Sequence, residues 1–123
     1  MPNSRKAAAE LFLKLACSDV ARAYRELTAR NFRHHNVWFP ADAASLQKGM
    51  EDNLRQHPEK KLEIKQSIEE GDRVAVMSHV TFGPIDRGYA LAHFFRFEGD
   101  RIAELWDMAQ EIPENSPNSN GPF

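Results

Sequence analysis

Cysteine is almost absent: Cys17 stands alone in 123 residues, so no intramolecular disulfide can form and no cysteine cage for zinc is available. That economy suits a reducing cytoplasm, where the chain is expected to reside. No apolar run approaches the roughly 20 residues that a bilayer-spanning helix needs, and a membrane partner is not expected. The segment LFLKLAC, residues 11–17, resembles the apolar stretch of a leader, but Lys14 interrupts it and helical periodicity continues on both sides. It reads as a helix of the mature chain. Surplus positive charge is missing too. The 16 Lys and Arg against 18 Asp and Glu leave a net charge of −2, which provides no basic field for a phosphate backbone, so nucleic acid is not an expected partner. There is no Gly-x-Ser-x-Gly elbow for a serine nucleophile, and neither phosphate-loop nor dinucleotide glycine patterns occur. No internal repeat or linker divides the chain, so residues 1–123 are expected to form one domain.

What is present is periodicity of two kinds. Ser4 or Asn3 can cap a helix running to about Cys17, with Ala8, Leu11, Phe12 and Leu15 on one face. Ser18 and Asp19 offer a second cap, for a helix to about Arg30 striped by Val20, Ala23, Tyr24 and Leu27. The aromatic segment Phe32–Phe39 predicts a short strand ended by Pro40. Asp42 can cap a third helix to about Gln56, with Leu46, Met50 and Leu54 spaced four apart and Pro58 beyond its end. From Lys61 the period becomes two. Strands are expected from Lys61, over Arg73–Phe82, over Tyr89–Phe97 and over Arg101–Gln110, with turns at Glu70-Gly71-Asp72 and Gly99-Asp100. Residues from about 112 to 123, rich in Pro, Asn, Ser and Gly, read as an extended tail. Helices first and an antiparallel meander afterwards make an α+β class, with three N-terminal helices packed on the sheet.

The stretch with most chemical content is HFFRFEGDRIAELWD, His93–Asp107. Alternation puts Ala103, Leu105, Asp107 and Ala109 on one face of the last strand, and Ile102, Glu104, Trp106 and Met108 on the other. Asp107 therefore keeps apolar company. An unpaired carboxylate there costs several kcal/mol or takes up a proton, so it is either an acid–base group, an exposed edge residue, or the partner of a Lys or Arg. On the preceding strand His93, Phe95 and Phe97 share a face, and His93 lands about opposite Glu104–Trp106, diagonal to Asp107. Arg96 and Glu104 belong to the outer face. His34, His35 and Asn36 form a second polar island, able to provide a pocket-facing hydrogen-bond donor. A metal site is not expected there, because no helical His-x-x-x-His and no obvious third ligand accompany it. His79, beside Met77 and Thr81 on its face, is a further candidate. Trp38 reads as a ligand, core or dimer contact rather than a base-stacking platform.

These residues resemble the SnoaL-like polyketide cyclases of the nuclear transport factor 2-like superfamily. The likeness covers most of the chain: the N-terminal helices, His34-His35-Asn36, VAVMSHVTF, the His93–Asp107 hairpin and the closing NGPF. It implies a strongly curved, cone-shaped sheet, a deep pocket for a small hydrophobic ligand, a homodimer, and no metal or organic cofactor. The family's histidine and aspartate sit fourteen positions apart, as His93 and Asp107 do here. By resemblance Asp107 is the general acid/base of an intramolecular aldol condensation and His93 polarises the carbonyl oxygen. The Gln-His-Asn common in such proteins favours His35 over His34 as pocket-lining. With it, His79, Trp38, Phe95, Leu105 and Met77 complete the expected substrate wall. Leu105-Trp106-Asp107 departs from the commoner His-Trp-Asp, so any role of that extra histidine is absent. The same fold also carries isomerases, hydrolases and plain binding or dimerisation modules, which remain rival readings.

Overall fold

The computed structural model describes residues 2–123. Helix α1 spans Arg5–Leu15, its first turn closed by the Ser4 hydroxyl accepting from Ala7 N at 3.0 Å. It stops two residues before Cys17, because Cys17 N and Ser18 N turn back to the carbonyls of Lys14 and Leu15. Helix α2, Val20–Leu27, is capped by Asp19, whose Oδ1 accepts from Arg22 N at 3.1 Å. It ends short of Arg30. Thr28 turns extended, and its hydroxyl donates to Tyr24 O at 2.6 Å, so one of the orphan carbonyls of the last turn is satisfied. Thr28 also opens strand β1, Thr28–His34, which lies earlier than the Phe32–Phe39 expected from the aromatics. Helix α3, Ala43–Gln56, has the expected Asp42 cap, with Ser45 N donating to its carboxylate at 2.8 Å.

Four longer strands follow: β2 Lys61–Glu70, β3 Arg73–Thr81, β4 Tyr89–Glu98 and β5 Arg101–Glu111. They form the antiparallel meander that the alternation predicts, with ends within a residue of expectation. The sheet order is β1-β5-β4-β3-β2. Strand β1 pairs parallel with β5, so the sheet is mixed, and the α+β class stands with that refinement. The three helices cover one face. Phe12 packs against Tyr24 and edge-on to Phe95, at 5.5 and 6.1 Å between ring centres, and Val74, Val76, Phe97 and Ile102 close the core behind them.

A bulge in β5 resets the hairpin. Arg96 pairs with Glu104 but Phe97 pairs with Ile102, leaving Ala103 as the extra residue. Ile102, expected outside with Glu104, is thereby turned into the core beside Phe97 and is fully buried. The same extra residue moves the register by one, so His93 faces Asp107 directly rather than diagonally.

Gly88 precedes β4 with φ +69°, in a place where an added Cβ would overlap the Val80 carbonyl. A left-handed conformation alone costs a residue with a side chain about 1–2 kcal/mol. Here the obstacle is backbone and cannot rotate aside. Gly88→Ala should therefore cost about 3 kcal/mol or more in urea unfolding. Gly99→Ala, at φ +61° but with open space around it, should cost only the conformational part.

Candidate active site

Between the sheet, α1, α3 and the segment 36–39 lies a cavity of about 390 Å³. Its wall is largely apolar, with Leu62, Val80, Leu91 and Leu105 from the sheet and Phe12, Leu46 and Met50 from the helices. That size and lining suit a small hydrophobic ligand. Charged or amide groups and one imidazole interrupt the apolar lining: His93 from β4, Asp107 from β5, Asn36 after β1, Lys60 just before β2 and Asn53 from α3.

Asp107 is oriented by a short chain of hydrogen bonds. Asn36 Nδ2 donates to Asp107 Oδ2 at 2.8 Å, while Asn36 Oδ1 accepts from Trp38 N at 3.0 Å. Asn36 N in turn donates to His34 Nδ1 at 3.1 Å, and His34 Nε2 donates to Pro40 O at 2.9 Å. The carboxylate is thus braced through His34 to the peptide that leads into α3. One carboxylate oxygen is held in place; the residue still lines the cavity.

His93 is buried, stacks on Phe95 at 6.1 Å, and its Nδ1 has no hydrogen-bond partner. Burial pushes its pKa down to about 4, opposed by the negative charge of Asp107 and reinforced by Lys60. The ring is therefore neutral at pH 7, able to donate from one nitrogen or accept at the other.

The expected ligand wall is assembled in part. Asp107, His93, Leu105 and Trp38 line the cavity, Trp38 at its mouth with 86% of its surface exposed. Phe95, expected in the wall, does not line the cavity: it is fully buried in the core, with its ring against that of His93. His35 does not line it. Register pairs His34 with inward Leu105 and Arg33 with outward Glu104, so the next residue, His35, falls outside. There its Nε2 donates to Glu104 Oε2 at 2.6 Å and its ring stacks on Trp106 at 5.0 Å. His79 and Met77 also lie on the outer face, opposite the buried Val76, Ser78 and Val80. His79 Nε2 donates to Arg87 O at 2.7 Å and its ring meets Phe123 of the tail.

Glu104, expected on the outer face, sits there at the centre of a charged cluster. His35, Arg96 and Arg33 all donate to it, at 2.6, 3.0 and 3.0 Å, and hold its pKa down at about 2. The cluster ties β1, β4 and β5 together on the side away from the cavity. Among the described residues, no group of three or more His, Cys, Asp or Glu is arranged to hold a metal ion. No described helix is long and apolar enough to cross a membrane.

Among the polar lining residues, Asn36, Lys60 and Asn53 carry no assignment from the sequence. Asn36 was visible only as part of its polar island. Lys60 shares a period of two with Leu62 and Ile64, which marks the inward face, but it is hidden in the charged run Glu59-Lys60-Lys61.

The model of the SnoaL-like domain matches residues 12–105, most of the chain. The chain belongs to the SnoaL-like family. No curated protein matches it. Among solved structures, this SnoaL-like chain is similar to AclR of Streptomyces galilaeus, named as a candidate hydroxylase, at 23% identity and TM-score 0.67, over 89% of this chain and 83% of that one. A candidate polyketide cyclase from Bacillus cereus is 16% identical at TM-score 0.74, over 86% and 74% of the two chains. IdmH of Streptomyces antibioticus, also a candidate polyketide cyclase, is 16% identical at TM-score 0.71, over 88% and 93%. At these identities the likeness establishes the nuclear transport factor 2-like fold and leaves the reaction to be argued from the site.

Proposed function

We propose that this chain is a cofactor-independent SnoaL-like enzyme acting on a small hydrophobic carbonyl compound by acid–base proton transfer, of the aldol-condensation (cyclase) type. The observation that carries the reading is the direct pairing of His93 and Asp107 across two strands on the wall of an apolar cavity. Asp107 removes a proton from the carbon beside a carbonyl, and the neutral His93 ring donates a hydrogen bond to the oxygen as it becomes an enolate. The enolate carbon attacks a second carbonyl of the same molecule, forming a carbon–carbon bond. Asp107 then returns its proton to the alkoxide produced. Leu105 and Trp38 contact the hydrophobic body, and Phe95 backs the His93 ring. A hydrolase needs a second inward carboxylate to activate water, and Asp107 is the one carboxylate lining the cavity among the described residues.

Deuterium wash-in tests the proton transfer without knowledge of the natural substrate. In D2O, α-tetralone should lose its α-CH signal faster with the protein than in buffer, as followed by proton NMR. Saturation-transfer contacts without any accelerated exchange would favour the non-catalytic ligand-binding module of the same fold.

A homodimer is part of the same proposal. Away from the helices the sheet exposes Ile68, Phe94 and Met108 around Ala75 and Trp106, an apolar groove larger than scattered surface residues produce. Light scattering should give twice the chain mass, and Phe94→Glu should return the monomer. A monomeric mass for the unaltered chain ends this part of the reading.

A further inference from the structure

Lys60 is the one cationic side chain lining the cavity among the described residues, and its ammonium has no hydrogen-bond or ion-pair partner there. Lys48 is paired with Asp52 and Lys65 with Glu63, and Lys6, Lys14 and Lys61 are exposed to solvent, so Lys60 alone combines a half-buried place with an unpaired head. Its position follows from the fold. After α3 the chain turns through Lys60 N, which donates to His57 O at 3.0 Å, and β2 begins with the alternation that sends Lys60, Leu62 and Ile64 towards the core side. There Lys60 shares the cavity wall with Leu13 and Ala16 of α1.

No carboxylate forms an ion pair with this ammonium among the described residues, and the neighbouring Cys17 thiol, its pKa pushed up by burial, stays protonated. Asp107 is bonded to Asn36 and makes no ion pair with Lys60. His93, neutral at pH 7, brings no charge of either sign. A cation set into an apolar wall without a partner is unfavourable unless something neutralises it. Burial accordingly pulls the Lys60 pKa below the ordinary lysine range.

We propose that Lys60 binds an anionic oxygen of the substrate, which narrows the substrate class to hydrophobic carbonyl compounds carrying a carboxylate or an ionised enol. The inference rests on the cavity being the substrate site, as argued above, but not on Asp107 performing the chemistry. The oxygen anchored by Lys60 and the carbonyl facing His93 are two separate groups. A substrate spanning them lies along the apolar wall with its reacting carbon at Asp107. Lysine stems also line apolar surface while their heads stay in water, and in that case no preference for anions follows.

Binding by isothermal titration calorimetry separates the two. The carboxylate arm compares 2-naphthoate with methyl 2-naphthoate, and the enol arm compares ionised dimedone with its methyl enol ether. With the unaltered chain at neutral pH, at least one anion should bind about tenfold more tightly than its neutral counterpart. Lys60→Met should bring the pair to parity with the neutral probe's affinity kept, and Lys60→Arg should restore the preference. Lys60→Met removes an uncompensated charge, so it should melt no lower than the parent. Parity in the unaltered chain, a preference that survives Lys60→Met, or no binding of either anion overturns the assignment. Asp107→Asn should leave the preference in place, so a failure of the proton-transfer reading is read separately.

Discussion

Asp107→Asn should reduce turnover of a carbonyl substrate, and deuterium wash-in with it, by about a hundred- to ten-thousand-fold, the usual worth of a positioned acid–base group. The substitution keeps the size of the side chain and an oxygen that accepts from Asn36 Nδ2, so the bracing contact survives. It removes the lone pair that takes the proton. Because Asp107 supplies one edge of a mostly apolar wall, KM should change little and the loss should fall on kcat. Asn36→Ala is the informative companion. It leaves the base intact but unbraced, and a loss of about tenfold is expected, with kcat again the affected quantity. Retention of more than a tenth of the activity in Asp107→Asn would mean that another group takes the proton.

The second large effect concerns stability in acid. The His93 pKa falls from an ordinary 6.5 to about 4 in the folded chain. Between those values the unfolded chain binds a proton that the folded chain does not, so stability falls as pH is lowered through this window and is fully present above it. The size follows from the shift and comes to about 3 kcal/mol. Unfolding free energies from urea titrations at pH 7.0 and 4.5 should differ by most of that amount in the parent chain. In His93→Phe, which fills the site without titrating, this part of the difference should vanish. Glu104 acts in a separate, lower window. Its pKa is depressed from 4.5 to about 2, so its contribution is present above 4.5 and is lost as pH falls towards 2. An unchanged pH response in His93→Phe would remove the buried ring as the cause.

Local signals carried much of this architecture. The Asp42 cap, the spacing of Leu46, Met50 and Leu54, and the alternation of β3 each depend on neighbours a few residues away, and all are legible. Long-range partners are not. Nothing near Thr28 announces that β1 will lie parallel to β5, and that pairing ends α2 early. Ala103 bulges without a glycine to mark it, so simple alternation puts Ile102 on the wrong face and His93 one residue out of step. His34 and His35 show the same sensitivity. A shift of one residue exchanges the two faces, and only the pairing with Leu105 decides which histidine points inward.

Trp38 at the cavity mouth and Asn36 behind it are two residues apart on one peptide, joined by the bond from Trp38 N to Asn36 Oδ1. That bond leaves from the main chain of Trp38, while its indole stands exposed at the mouth. The turn that steadies the Asp107 carboxylate is therefore written in backbone, and the side chain at the entrance can change without loosening it.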